Sequence, residues 1–209
     1  MKNGYFMNSG ILFNITVSAS DRLGSVSDKT TGGQNDALVA VLFAAATLEA
    51  FIMELAIMAE ADYKSFGYQP LQSVASILNE TENSRGSTRL KFLLAKVVLS
   101  GETFDKGSKP YQDFDTLFTL RDAIVHLKPE KITDEPQKIL QRFRAMNLCE
   151  NAEHGVSSSW LGQISTRAVA EWSRNVVVDM VESLKSCLPT NSEKTPLLSF
   201  LSSQFNRAE

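Results

Sequence analysis

The sequence predicts an all-α protein, a helical bundle with a long buried central helix and a long C-terminal helix. Three observations lead there. Residues from Asn35 to about Asp62 are apolar nearly all round, broken inside only by Thr47, Glu49 and Glu54. In the stretch Tyr111–Glu130, Phe114, Leu117, Phe118, Leu120, Ile124 and Val125 recur at helical spacing, so it reads as an amphipathic helix. Residues from about Ser165 to Cys187 keep that periodicity over a longer run; the β-branched Val176–Val178 lower helix propensity too little to break it. Segments of this kind bury their apolar faces on one another, which makes a bundle.

Taken in order, Ile11–Ser20 reads as a first helix turned by Phe13 and Val17, with a short strand as the alternative. Gly24–Gly33 is a loop on its Gly, Ser and Thr content, and it matches neither the glycine–lysine phosphate loop nor the dinucleotide-binding glycine pattern. Asn35 or Asp36 caps the central helix. Ala37–Ala59 is long enough to span a bilayer. Glu49 and Glu54 would each cost several kcal/mol there, and no Lys or Arg cluster flanks either end, so a buried helix of a soluble bundle is the better reading. Alanines at 44–46, 50 and 56 let its neighbours approach closely.

Gln69–Glu80, starting near Pro70, and Ser87–Leu99, ending before Gly101, are the next helices. Gly101–Lys109 is a polar loop. Pro110 suits the first turn of the following helix, where a missing N–H costs little, and Pro129 ends it. A helix over Glu135–Asn147, a loop over Glu150–Ser159 and the long helix stopped by Pro189 complete the bundle. The tail Leu197–Phe205, behind Pro196, carries enough apolar residues to dock on a neighbour or on a second subunit.

At 209 residues the chain suits one domain, with residues 1–34 as its N-terminal segment, 35–188 as its body and 189–209 as a tail. A net charge of −3 excludes a globally basic nucleic-acid binder, so any polyanion site is local. Cys149 and Cys187 make neither a disulfide framework nor a zinc cluster. Asn3, Gly4, Asn8, Gly10 and Asn14 break up the apolar start, a poor signal peptide, and the expected setting is the reducing cytoplasm.

The chemistry concentrates near the end of the Tyr111–Glu130 stretch, where Arg121 and His126 lie a little over one helical turn apart. A guanidinium stays charged while an imidazole titrates near neutral pH, so the pair can activate a hydroxyl beside a phosphate. The structural alternative is a histidine held by the helix dipole, worth about 0.3–1 kcal/mol. Arg85, Arg89, Lys91 and Lys96, and then Lys128, Lys131, Lys138, Arg142 and Arg144, are either a solvated face or in part a phosphate track leading to His126. Glu49 and Glu54, in an apolar helix, need a partner or a polar opening; one option is an ion pair with Arg121 across the bundle. His154 falls in a loop and reads as a surface residue. No metal-ligand motif, cofactor fingerprint or serine-nucleophile elbow is present, so neither metal nor cofactor is expected.

The alanine-rich helix containing Leu48-Glu49-Ala50-Phe51-Ile52-Met53-Glu54-Leu55-Ala56, followed by Arg121, Asp122 and His126 at the end of a later helix, resembles the HEPN superfamily. That resemblance covers roughly Asp36–Pro129 and implies an all-α, often dimeric protein, many members being metal-independent endoribonucleases of toxin–antitoxin, abortive-infection or antiviral systems. It implies Arg121 and His126 as catalytic residues with Asp122 beside them, while the ion-pair option makes Glu49 a supporting residue and the phosphate-track reading puts Lys128 on the substrate side. The residue after the arginine is frequently Asn in the family; here it is Asp122, whose charge can orient Arg121 but repels phosphate. The activity so implied is RNA cleavage by 2′-OH transesterification, in a homodimer that brings two Arg121/His126 pairs to one cleft and is regulated by a cognate antitoxin or other defence protein. The alternative is a non-catalytic helical module that binds a partner protein or a nucleotide.

Overall fold

A computed structural model describes residues 6–23, 35–127, 137–149, 159–188 and 196–205. Among these the chain forms only helices: α1 Ser9–Arg22, α2 Asn35–Phe66, α3 Gln69–Asn83, α4 Thr88–Ser100, α5 Tyr111–Val125, α6 Gln137–Ala145, α7 Trp160–Ile164, α8 Arg167–Lys185 and α9 Pro196–Gln204. The all-α bundle is as expected. The expected loop Gly24–Gly33, Lys128, Pro129, Lys131, His154 and Pro189 lie outside the described residues.

The central helix is α2, and α1, α3, α4, α5, α8 and α9 all pack on it. Ala40, Ala44, Ala45, Ala56 and Ala59 are inaccessible to solvent, as are Leu48, Phe51 and Ile52. Small side chains on several sides of one helix let several neighbours reach its backbone, and the large ones fill the space between them. The segment Asn35–Ser65 has the length and hydropathy to cross a membrane, and 56% of its most apolar window is buried inside the bundle, which is compatible with a soluble protein.

A run of ring contacts threads this core. Phe13 of α1 meets Phe205 at 5.4 Å, Phe205 meets Phe51 of α2 at 5.5 Å, and Phe51 meets Phe92 of α4 at 6.2 Å. Phe92 then meets Phe114 of α5 at 4.9 Å, and Phe114 meets Phe118 at 4.9 Å. Tilted and edge-on pairs at such separations add to the burial of their area. The tail therefore docks on its own chain: Leu197, Leu201 and Phe205 are buried there.

Three acidic residues of α2, Glu49, Glu54 and Asp62, each meet a different element. Glu54, 6% exposed, accepts hydrogen bonds from the backbone N–H of Asn8 and Ser9 and from the Ser9 hydroxyl. Asn8 provides no side-chain cap for α1, so the carboxylate of another helix takes over that role. Asp62, fully buried, accepts from the Leu197 N–H at 3.3 Å, at the start of α9. Glu49 pairs with Arg121.

Several boundaries differ from the sequence reading. The strand alternative for Ile11–Ser20 gives way to helix α1. Helix α2 runs one turn past Asp62, supported by a Glu60–Lys64 pair at 2.6 Å, and stops at Gly67 with φ of 71°. Ser87 caps α4 by accepting from the Leu90 N–H, and Gly101 closes it with φ of 74°. The short helix α7 was not foreseen; Ser159 caps it and Trp160 anchors it in the core. Thr166 rather than Ser165 opens α8. Helix α5 ends at Val125, before the expected stop at Pro129, and Val125, placed on the apolar stripe by its spacing, is 56% exposed.

Candidate functional site

Helix α5 sorts its residues by spacing. Phe114, Leu117, Phe118 and Leu120 are buried. Asp115, Thr119, Asp122 and His126, at intervals of four, three and four, line the outward stripe. Arg121 lies between the two faces with its side chain 26% exposed.

Phe118, 2% exposed, forms the floor under two guanidiniums. Arg89, reaching over from α4, stands 5.5 Å from its ring centroid and Arg121 stands 5.4 Å from it. Arg89 donates from Nε to Asp115 at 2.6 Å and from Nη2 to the Asp115 carbonyl at 3.1 Å and the Thr119 hydroxyl at 3.0 Å. Its Nη1 lies 3.9 Å from the Asp122 carboxylate. Arg121 donates from Nη1 to Asp122 at 2.9 Å and from Nη2 to Glu49. Two guanidiniums thus face three carboxylates, and the array is net negative by one charge.

His126 is the C-cap residue of α5, and its backbone N–H donates to the Asp122 carbonyl at 3.0 Å. Its imidazole is exposed, with no side-chain partner among the described residues. Four of the expected site residues, Arg121, Asp122, Glu49 and His126, therefore gather at one end of α5. The fifth, Lys128, lies outside the described residues.

Sequence reasoning missed the place of Arg89, which it had grouped with other basic residues. No local spacing signals it, because the contact depends on how α4 and α5 lie relative to one another. Four of the other basic residues among those described have partners elsewhere. Lys91 pairs with Glu82, Lys96 donates to the Cys187 sulfur at 3.0 Å, Arg142 pairs with Asp113 at 2.5 Å, and Arg144 donates to Gln163 at 2.8 Å. Each is committed to a separate partner.

A cavity of about 510 Å³ lies beside the start of α5, the residues after α6 and the first two thirds of α8, lined by Lys109, Asp113, Trp172, Asn175 and Asp179 among others. It touches neither Arg121 nor His126. Among the described residues no group of three His, Cys, Asp or Glu side chains could hold a metal ion. Cys149 is buried and Cys187 half-buried, and both are free thiols. Burial pushes the Cys149 thiol above its ordinary range, against a smaller lowering by Arg144.

Comparison with known protein families, curated proteins and solved structures finds no match to this chain.

Proposed function

We propose that the chain is a metal-independent endoribonuclease of HEPN type, cleaving RNA by attack of a ribose 2′-oxygen on the adjacent phosphodiester. One observation supports this above the others: Arg121 is held in a fixed orientation while the His126 imidazole stands open to solvent on the same helix end. A clamped guanidinium is pre-organised for charge building on the non-bridging oxygens. An open imidazole can take the 2′-OH proton as the new P–O bond forms. The 5′-oxygen then leaves with its bonding pair and takes a proton from a second acid. The products are a 2′,3′-cyclic phosphate and a 5′-hydroxyl. His126 of a second copy in a homodimer supplies that acid. In this reading the protein acts in the cytoplasm, in a toxin–antitoxin or antiviral defence system, under the control of a cognate antitoxin or other defence protein.

The test is an RNA-cleavage assay in excess EDTA with end-group analysis. Cleavage that persists and leaves cyclic phosphate ends supports the proposal. Loss on chelation with recovery on added magnesium points to another mechanism and another site.

The double engagement of Arg121 by Glu49 and Asp122 favours a second reading. A guanidinium already neutralised by two carboxylates suits a structural post in a non-catalytic module that binds a partner protein or nucleotide. A wild-type protein that cleaves no RNA, with Arg121→Ala lowering stability, would favour that module.

A further inference from the structure

The geometry points to Arg89 and Arg121 as a two-arginine clamp for a single phosphate group, with Asp122 holding the anion's place until the phosphate displaces it. Both guanidiniums lie over the same Phe118 ring. Each turns its Nη1 toward one carboxylate: Arg89 reaches Asp122 Oδ2 at 3.9 Å and Arg121 reaches Oδ1 at 2.9 Å. Two like charges converging on one point repel unless an anion sits between them. Asp122 is that anion.

The anchoring of each arginine is separate from this convergence. Arg89 uses Nε and Nη2 on Asp115 and Thr119, and Arg121 uses Nη2 on Glu49. Moving Asp122 aside therefore leaves both forks held and both Nη1 groups facing the vacated place. The Asp122 side chain is 46% exposed and can rotate into solvent, and pairs at such exposure are weak. A tetrahedral phosphate can accept from both Nη1 groups at once, and hydrogen bonds between two charged groups are the strong ones. Glu49 and Asp115 stay behind, so affinity in the wild type is modest and Asp122 sets it.

This inference rests on the proposed nuclease reading only for the source of the phosphate, a phosphodiester of RNA; inorganic pyrophosphate shares the chemistry. The experiment titrates the wild type, Asp122→Asn, and Asp122→Asn combined with Arg89→Ala or Arg121→Ala. The two probes are a fluorescent 2′-O-methyl oligouridylate, which lacks the attacking hydroxyl, and inorganic pyrophosphate. Asp122→Asn removes the competing charge at nearly constant size, and both probes should bind about tenfold tighter, the equivalent of about one charge-assisted hydrogen bond. Either added arginine change should abolish that gain. Thermal melting checks each variant, and Arg89→Gln replaces Arg89→Ala where folding suffers.

Asp122→Asn binding no tighter than wild type overturns the clamp, and so does a gain that survives loss of Arg89, even if RNA cleavage depends on His126. A gain for pyrophosphate through both arginines, with none for the oligonucleotide, keeps the clamp and removes the RNA source.

Discussion

The carboxylate of Glu49 on α2 accepts a hydrogen bond from Nη2 of Arg121 on α5, 72 residues further along the chain. This contact ties the central helix to the helix that carries His126. It is only partly buried, at 26% exposure for the arginine side chain and 42% for the glutamate. Its energetic weight therefore lies between a surface pair and a buried one.

Arg121→Ala should lower stability by about 1 kcal/mol, the sum of a half-exposed pair and a ring contact, and not the ~3–5 kcal/mol of a buried pair. Water can reach Glu49 once its partner is gone. His126→Ala should change stability by no more than about 0.5 kcal/mol, because its imidazole is exposed and without a side-chain partner among the described residues. In the nuclease reading both variants lose at least ~100-fold in RNA cleavage. Denaturation curves and cleavage rates on the same preparations check this. A large loss of stability with unchanged cleavage would end the nuclease reading of α5.

Glu54→Ala should loosen the junction between α2 and α1. It strips the acceptor from the Asn8 and Ser9 N–H groups and the Ser9 hydroxyl, at a site where the carboxylate is 6% exposed. Buried donors left unpaired cost about 1–3 kcal/mol each, so a total of roughly 3 kcal/mol is expected. Glu54→Gln keeps an acceptor oxygen and should cost roughly half as much. Hydrogen exchange localises the effect: the first turn of α1 should lose protection in Glu54→Ala, and unchanged protection there would contradict the capping role.

Stability should fall at both ends of the pH range, for different groups. The hydrogen bond from Arg22 holds Asp36 below the usual carboxylate range, against a smaller opposing effect of burial. Its contribution is present above the carboxyl's ordinary pKa and is lost as pH falls through the lower folded value. Burial raises Cys149 and Tyr111, so their contributions are present below the ordinary pKa and are lost as pH climbs through the folded one. Melting temperature against pH measures both limbs. Arg22→Ala should flatten the acid limb and Cys149→Ala part of the alkaline limb. In the native protein a thiol reagent should label Cys187 well before Cys149.

Arg85→Gly should stabilise the protein. Arg85 follows α3 with φ of 57°, while the Gly86 N–H closes the helix end on the Thr81 carbonyl at 2.7 Å. That left-handed position crowds the Cβ of any L side chain, and glycine relieves it at some entropic cost. The net gain is about 0.5–1 kcal/mol, which for a chain of this size corresponds to roughly 1–3 °C in melting temperature. A lower melting temperature would show that the exposed Arg85 side chain contributes more than its backbone costs.

The helices were legible because their signals are local. Apolar residues at helical spacing, Ser87 before α4, Gly101 after it and Pro110 before α5 each act within a turn or two, where sequence neighbours are spatial neighbours. The same locality brings Arg121, Asp122 and His126 to one helix end. Which acid of α2 meets Arg121 is a different matter. Glu49 and Glu54 look alike in the sequence, yet one pairs with an arginine 72 residues away and the other caps a helix that precedes it by 45. Arg89 joins Arg121 only because α4 and α5 lay both guanidiniums over Phe118. The tail finds Phe13 and Phe51 in its own chain. Spacing along a helix decides which face is buried, but the crossing of helices decides which long side chains can reach each other. A charge carries no record of its partner in its own sequence position, so that part of the site exists only once the bundle has packed.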